Sequence, residues 1–307
     1  MREFSLRMID GQELQVYEWS DVQKPKAVIQ LLHGSCEFML RYADFAQAMN
    51  AKGIIVVGDD HRGHGKTAQL HGKKMGFFSN HNGWEKIVND EKLVNDYIRK
   101  KHQGLPIFML GHSMGSFMAR TYAIKYSETI DGLIIMGTGE HAILMTGVAS
   151  MIARVHQLIG GPQTDDKLLW KLTFQPLNKH YNKMSNANGN EWLTRNVDAQ
   201  LEFKNHPLTG KSVTTSGFKD MFDGMTFVAK KKYIKLMRKD LPIFLVAGDK
   251  DPVGNYGKMV DKVQRKFIAL GFKSKIKLYP NLRHEILNEP EKEEVNKDLV
   301  EFIEQYL

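Results

Sequence analysis

Cysteine is almost absent from this chain of 307 residues, which contains Cys36 and no other. A single cysteine excludes an intramolecular disulfide, and it also excludes a zinc site built from several cysteines. The first residues lack the apolar segment of a secretory signal peptide. No internal repeat or low-complexity tract occurs. We therefore expect a cytoplasmic protein without disulfides.

The composition is that of an ordinary globular protein, with 42% hydrophobic and 25% charged residues. These values exclude disordered, collagen-like and coiled-coil proteins. A chain of this length buries about 75% of its unfolded surface, so it needs no disulfide or structural metal to hold a core.

The net charge of +8 raises the question of an anionic partner. The basic residues are scattered, except for a run at 230–239 that alternates with apolar residues as on an amphipathic helix. We interpret this run as a solvated helix face. Peripheral contact with an anionic membrane surface is the alternative, and we expect no nucleic-acid partner.

Short apolar segments alternate with helical patterns, which is typical of a mostly parallel sheet with helices on both faces. The segments are apolar at consecutive positions, as in strands buried on both sides. An Asp-Gly pair at 10–11, between strand patterns at 4–8 and 14–19, predicts a hairpin ahead of them. The buried strands are predicted at 27–32, 54–57, 107–110, 133–136, 243–247 and 276–279. The sequence therefore predicts an α/β fold with about eight strands.

Residues 139–224 interrupt this alternation, because no strand pattern of the buried type occurs there. Within this region, residues 142–159 are apolar almost all round. Three polar residues, Arg154, His156 and Gln157, disfavour a transmembrane span in a segment barely long enough for one. A helix that is apolar on every side must instead be buried or face an apolar partner. We predict a helical cap at 139–224 over a core formed by 1–138 and 225–307.

The strongest local motif is Gly-His-Ser-Met-Gly at 111–115, between a predicted strand and a helical pattern. In this strand–turn–helix context the serine is raised on a sharp turn, and the flanking glycines let strand and helix approach. The N-terminus of the helix offers unpaired N–H groups to an oxyanion. The motif predicts Ser113 as a nucleophile and the Met114 N–H as an oxyanion donor.

A serine nucleophile needs a base that is held by an acid, and in this type of sheet the acid and then the histidine follow the serine. The loop after the predicted strand at 276–279 contains His284, the only histidine beyond residue 206. The loop after the strand at 243–247 contains both Asp249 and Asp251. The offset from the strand and the proline that follows favour Asp251 as the acid.

The loop after the strand at 27–32 supplies a second candidate oxyanion donor, the backbone N–H of Ser35. Cys36 follows it without a positioned partner in the sequence, so we interpret it as an inert side chain. Three histidines have the spacing of metal ligands, but no cysteine or clustered carboxylate completes the set. They are His61, His64 and His71. We expect no metal and no organic cofactor.

These motifs resemble the α/β-hydrolase superfamily. Within it, the chain is similar to the monoacylglycerol lipase and lysophospholipase branch, which is often grouped with serine aminopeptidase-like hydrolases. The matches extend along nearly the whole predicted core, and two are specific to this branch: Asp-His-Arg-Gly-His-Gly at 60–65 and Arg-His-Glu at 283–285. Cys36 and Phe38 stand where the family usually has glycine and histidine. The predicted cap matches only weakly.

The resemblance implies an α/β-hydrolase fold, a triad of Ser113, Asp251 and His284, and an oxyanion hole formed by the Ser35 and Met114 amides. We predict a serine hydrolase that cleaves carboxylic esters of acyl chains, with a monoacylglycerol or lysophospholipid as its small-molecule partner. The same triad would also serve a short-chain or aromatic carboxylesterase, a thioesterase, an aminopeptidase or an acyltransferase. A non-catalytic ligand receptor is disfavoured because all three triad residues are present.

Overall fold

Eight strands form a single sheet in the computed structural model, which describes residues 1–184, 187–210 and 212–307. The strands are β1 (Arg2–Arg7), β2 (Glu13–Trp19), β3 (Ala27–Leu32), β4 (Ile54–Asp59), β5 (Ile107–His112), β6 (Gly132–Met136), β7 (Ile243–Gly248) and β8 (Ser274–Tyr279). Their spatial order is β1-β2-β4-β3-β5-β6-β7-β8. The pairs β1–β2 and β2–β4 are antiparallel, and all other pairs are parallel. The predicted α/β fold with about eight strands is confirmed.

The described residues form eleven α-helices and three short 3-10 helices. The α-helices are α1 (Ala43–Asn50), α2 (Gly65–Leu70), α3 (Gly83–Lys101), α4 (Met114–Tyr126), α5 (Ile143–Gly160), α6 (Lys167–Thr173), α7 (Val197–Asn205), α8 (Thr215–Ala229), α9 (Lys231–Ile234), α10 (Lys258–Ala269) and α11 (Lys292–Glu304). The 3-10 helices span Met39–Tyr42, Ser127–Thr129 and Gln175–Asn178.

Apolar side chains on the two faces of the sheet form two separate cores. Along β3, Val28 and Leu32 belong to one core, and Ile29 and Leu31 belong to the other. Helices α3, α4 and α10 cover the first core, while α1 and α11 cover the second. Because both faces are covered, the central strands are apolar at nearly every position.

The chain between β6 and β7 is helical, and in its described part it contains no strand beyond one isolated bridge, Asp165 to Thr214. Helix α5 packs against α8, where the Thr146 hydroxyl lies 2.7 Å from that of Thr226. The predicted end of the cap, at residue 224, falls inside α8. Residues 185, 186 and 211 of the predicted cap lie outside the described residues. The cap boundaries therefore stay a prediction.

Helix α5 is mostly exposed to solvent. A helix that is apolar on all sides is normally buried in a globular protein. Its buried residues are Thr146 and Ala153. Leu144, Leu158 and Ile159 are 79%, 79% and 82% exposed. By length and composition alone, this helix could cross a membrane. The segment is therefore not buried, and the alternative, a helix that faces an apolar partner, stays a prediction.

The basic run at 230–239 does not form the amphipathic helix that its pattern predicts. Lys230 has an extended backbone, with φ −81° and ψ 113°, and α9 covers only four residues after it. Arg238 then donates hydrogen bonds to the carbonyls of Ser127 and Ile130, at 3.1 and 2.9 Å. These contacts anchor the end of the segment beside the 3-10 helix that follows α4.

Two chain segments at the ends of the helical insertion are joined by buried Arg120 on α4. Its guanidinium donates hydrogen bonds to the Glu140 carboxylate and the Gly139 carbonyl, both at 3.0 Å. It also donates to the carbonyl of Val228 at 3.4 Å. The segment that enters the insertion and the segment that leaves it are therefore bound to the same side chain.

We expect Glu140→Ala to lower the free energy of unfolding by about 3–5 kcal/mol, because the buried guanidinium of Arg120 loses its carboxylate. Urea unfolding followed by circular dichroism measures this change. Glu128→Ala removes an exposed carboxylate near the end of α4 and should change stability by less than about 0.5 kcal/mol. Equal unfolding midpoints for the two variants would contradict the prediction.

Candidate active site

Ser113 lies in the sharp turn between β5 and α4 with an unusual backbone. Its φ of 52° and ψ of −117° are conformations that a residue with a side chain rarely adopts. The Ser113 N–H donates to the Met136 carbonyl at 3.0 Å, and its own carbonyl accepts from the Ser116 hydroxyl at 2.5 Å. These bonds hold the turn, so its strain is offset by the elements on either side.

The two glycines of the motif permit the close contact between strand and helix. A Cβ atom on Gly111 would lie 2.2 Å from the Gly115 carbonyl oxygen. A Cβ atom on Gly115 would lie 2.2 Å from the carbonyl oxygen of Leu32 at the end of β3. Both clashes are with backbone, which cannot rotate away. The sequence pattern is therefore a direct requirement of the turn geometry.

His284 is paired with Asp251 and not with Asp249. The His284 Nδ1 lies 3.0 Å from Asp251 Oδ2, and both side chains are buried. The other carboxylate oxygen of Asp251 accepts from the Val253 N–H at 2.8 Å. Asp249 instead accepts from the Asn281 N–H at 2.7 Å near the surface. A carboxylate on Nδ1 leaves the Nε2 atom of the imidazole to act as the base.

The predicted oxyanion donors lie in the two loops that flank the serine. Ser35 and Ser113 line the same cavities, and Met114 lines one of them. Within the described part of the chain, neither the Ser35 nor the Met114 N–H donates a hydrogen bond. Both amides are therefore available to an oxygen of a bound molecule.

His33 fixes the loop that carries Ser35. Its Nδ1 lies 2.7 Å from the Gly34 carbonyl, and its Nε2 accepts from the His61 N–H at 3.1 Å. A ring that donates at Nδ1 and accepts at Nε2 is neutral. Burial holds the pKa of His33 well below its usual range, in agreement with this assignment.

A buried network around Glu37 joins the loop after β3 to the loop of His284. The Glu37 carboxylate accepts hydrogen bonds from the Gly34 N–H at 2.6 Å, the Tyr42 hydroxyl at 2.8 Å and Arg41 at 2.6 Å. Arg41 also donates two hydrogen bonds to Glu285, both at 2.7 Å. Burial alone would raise the pKa of Glu37, but the hydrogen bond from His112 and the charge of Arg41 hold it well below its usual range.

His112, the residue before the serine, belongs to the same network. Its Nδ1 lies 2.8 Å from the Tyr42 hydroxyl and 3.2 Å from Glu37, and its Nε2 lies 3.2 Å from the His284 carbonyl. A carbonyl only accepts, so Nε2 donates to His284, while Nδ1 lies between the Tyr42 hydroxyl and the Glu37 carboxylate. Although burial opposes a charge on the ring, the hydrogen bond to Glu37 raises the pKa of His112.

Two cavities of different character meet at Ser113. One has a volume of about 480 Å³ and is lined mainly by apolar side chains of α5, α6 and α8. The other has a volume of about 680 Å³ and is lined partly by apolar side chains, but His284 and several amide and charged side chains line it as well. We call it the polar cavity because of these side chains. The residues common to both are Ser35, Ser113, Leu172, Phe174 and Trp192. A molecule that binds in both cavities therefore lies beside these five residues, among them Ser113.

Trp192, in the helical insertion, contacts His284 directly and has no signal in the sequence. The two ring centroids lie 5.1 Å apart. The N–H groups of His284 and Glu285 donate to the carbonyls of Trp192 and Leu193, at 3.4 and 2.6 Å. The Arg283 guanidinium donates to the Glu191 carbonyl at 2.6 Å. The insertion therefore holds the histidine loop through its main chain.

The histidines with metal-like spacing do not share one open site. His61 Nδ1 lies between the carboxylates of Asp59 and Glu91, at 3.1 and 3.0 Å, and all three side chains are buried. Burial opposes a charge on His61, but the Asp59 carboxylate and then Glu91 raise its pKa to about 10. A buried ion pair accounts for these contacts, and the expectation of no metal stays a prediction of the sequence. His71 lies at the surface instead, beside the Glu13 backbone.

Cys36 lines the polar cavity beside Ser35 and is buried. Burial raises the pKa of its thiol to about 12. A thiol that is protonated at neutral pH is a poor nucleophile. The raised pKa therefore agrees with the interpretation of Cys36 as an inert side chain.

Comparisons with known proteins place the chain in a family. The profile of the family described as "Serine aminopeptidase, S33" matches residues 23–291. A monoacylglycerol lipase of Mycolicibacterium smegmatis is 26% identical over 99% of this chain and 98% of the lipase. A phospholipase of Bacillus subtilis is 24% identical over 95% of this chain and all of that protein. The resemblance seen in the sequence is confirmed.

The fold is also that of solved relatives. The crystal structure of a carboxyl esterase from Bacillus coagulans in complex with glycerol superposes with a TM-score of 0.91. It is 26% identical in sequence and covers 99% of this chain and 98% of the esterase. The chain therefore belongs to the serine aminopeptidase S33 family, with an α/β-hydrolase fold, in the branch that includes the monoacylglycerol lipases.

Proposed function

We propose that this protein is a serine hydrolase that cleaves the carboxylic ester bond between an acyl chain and a glycerol-based alcohol. The observation that carries this proposal is the meeting of an apolar and a polar cavity at Ser113. An ester whose carbonyl carbon faces the serine would place its acyl chain in the first cavity and its alcohol in the second. Two similarities support it: to a monoacylglycerol lipase and to an esterase crystallised with glycerol.

In the proposed mechanism, the Ser113 hydroxyl attacks the ester carbonyl while His284 Nε2 takes its proton. Asp251, hydrogen-bonded to Nδ1, keeps the imidazole in the required tautomer and stabilises the imidazolium. The amides of Ser35 and Met114 donate to the oxyanion. The imidazolium then protonates the leaving alcohol, and a water molecule activated by His284 releases the acyl group from the serine.

The apolar cavity favours a long acyl chain over a short one. Each buried CH₂ group contributes about 0.8 kcal/mol, and a volume of about 480 Å³ is within the range of small-molecule sites. A short-chain carboxylesterase or an aminopeptidase would leave most of this space unfilled. A thioesterase or an acyltransferase would bind its acyl chain in the same apolar cavity. These two activities differ from the proposed hydrolase in the leaving group of the substrate and in the acceptor of the acyl group.

We also propose that the exposed apolar face of α5 rests on a lipid surface, which would explain why Leu144 and Leu158 face outward. Helix α5 lines the apolar cavity with residues such as Ala149 and Ile152. A membrane under α5 would therefore lie beside the cavity that receives the acyl chain. The net charge of +8 would favour anionic lipid. A cytoplasmic location stays a prediction of the sequence.

A hydrolysis screen tests the proposed function. We expect monoacylglycerols and lysophospholipids with long acyl chains to be hydrolysed with higher kcat/KM than acetyl esters, because the apolar cavity is then filled. Ser113→Ala should lower kcat by about 10⁵–10⁶-fold and abolish labelling by a fluorophosphonate. A preference for acetyl esters would refute the lipid substrate class. Full labelling of Ser113→Ala would refute the nucleophile.

Two aspartate variants test the acid of the triad. Asp251→Asn should lower kcat by about 10⁴-fold, because the imidazole loses the carboxylate that sets its tautomer. Asp249→Asn is the matched control, since this carboxylate caps the Asn281 N–H, and it should leave kcat within about twofold. The assignment of Asp251 as the acid is wrong if Asp249→Asn, and not Asp251→Asn, causes the large loss of kcat.

Sedimentation with lipid vesicles tests the membrane contact. Burial of a leucine side chain contributes about 1.5–3 kcal/mol, so Leu144→Ser and Leu158→Ser should each weaken binding to vesicles by about tenfold or more. Leu70→Ser, at an exposed leucine of α2 that is 53% accessible, is the control. Binding should strengthen when phosphatidylglycerol replaces part of the phosphatidylcholine. The proposal fails if the two α5 variants bind like the control.

A further inference from the structure

Two lysines that line the polar cavity have no carboxylate partner among the described residues. Lys171 lies in the last turn of α6, and Lys179 follows the 3-10 helix at Gln175–Asn178. Both are exposed, and within the described residues neither forms an ion pair. Two lysines of the polar cavity thus have ammonium groups that no described carboxylate binds.

The carboxylates of the same cavity are held by another cation. Glu37 and Glu285 both line it, and both are bound by the buried guanidinium of Arg41 at 2.6 and 2.7 Å. Neither carboxylate forms an ion pair with Lys171 or Lys179, so both ammonium groups remain available for an anion on this side of Ser113.

The other cavity differs sharply in charge. Among the described residues that line the apolar cavity, none is aspartate, glutamate, lysine or arginine. Charge is thus confined to the side of the serine where the alcohol of an ester would lie. A neutral glycerol group would gain nothing from two ammonium groups, whereas an anionic group would.

We propose that the polar cavity selects acyl esters whose leaving alcohol carries a phosphate group, that is, anionic lysophospholipids, over neutral monoacylglycerols. This inference rests on the proposed function and names the head group for the same site. Lysine is a compact point charge on a flexible stem and is a common phosphate ligand. The amide side chains of Gln175, Asn182 and Asn190 line the same cavity and would donate further hydrogen bonds to phosphate oxygens.

Three substrates with one acyl chain test the head-group preference. Lauroyl glycerol is neutral, lauroyl glycerol phosphate is anionic and lauroyl glycerophosphocholine is zwitterionic, and each is used below its critical micelle concentration. We expect kcat/KM for the anionic ester to exceed that for the neutral ester by about tenfold, which corresponds to about 1.4 kcal/mol. The ratio should fall towards one between about 0.05 and 0.5 M salt, because the Debye length shortens.

Variants of Lys171 and Lys179 test whether these lysines cause the preference for an anionic head group. Lys171→Gln and Lys179→Gln should each lower kcat/KM for the anionic ester by about fivefold, and leave the neutral ester within about twofold. Lys204→Gln is the matched control, because this exposed lysine of α7 lines neither cavity. Equal kcat/KM for neutral and anionic esters overturns the inference. So does an equal loss on all substrates in the lysine variants.

A binding measurement separates this inference from the proposed function. Ether-linked analogues, 1-dodecylglycerol and its 3-phosphate, cannot be hydrolysed, and calorimetry gives their Kd with the wild-type protein. Tighter binding of the phosphate, lost in the Lys171→Gln/Lys179→Gln double variant, supports the site even if no ester is cleaved. Hydrolysis of neutral monoacylglycerol with equal Kd for the two analogues supports the proposed function and refutes the inference alone.

Discussion

The buried guanidinium of Arg41 holds together loops that are more than two hundred residues apart in sequence. It binds Glu37 in the loop after β3 and Glu285 beside the histidine. Removal of one member of such a buried ion pair typically costs about 3–5 kcal/mol, because the other charge is left uncompensated. Glu37 in turn binds His112, which precedes the serine. The serine, the histidine and the oxyanion loop are thus positioned by one connected set of charges.

Much of this fold could be predicted from the sequence because a strand covered on both faces must be apolar at consecutive positions. The strand at 27–32 was predicted with the observed limits, and β4 to β7 differ by at most two residues. Strand β8 begins at Ser274, two residues before its predicted start, because this edge strand is partly exposed and carries polar residues. Polar positions at an exposed edge give no apolar signal.

The candidate site was predictable where the chemistry demands particular residues at fixed positions. A Cβ atom on Gly111 or Gly115 would lie 2.2 Å from a backbone oxygen, so both positions require glycine. The motif around the serine can therefore be recognised in the local sequence. Asp251 could be preferred to Asp249 from its offset after the strand. The contact of Trp192 with His284 joins segments about ninety residues apart, and no local pattern encodes it.

Two features of the helical segments could not be predicted, because each depends on neighbours that the sequence does not reveal. Helix α5 has the composition of a buried helix, yet it lies at the surface, since α8 covers only one of its faces. The basic run at 230–239 has a helical pattern, but Arg238 anchors it to the carbonyls of Ser127 and Ile130. In both cases tertiary contacts outweigh the local pattern.

Different parts of the helical insertion are held by different kinds of contact. Its 192–193 segment is tied to the histidine loop by main-chain hydrogen bonds. The first half of α5 meets α8 through side chains, such as the Thr146 and Thr226 hydroxyls. A displacement of α5 would therefore change the apolar cavity and leave the hydrogen bond between His284 and Asp251 in place. Entry of the proposed acyl chain from the side of α5 would then not disturb this pair.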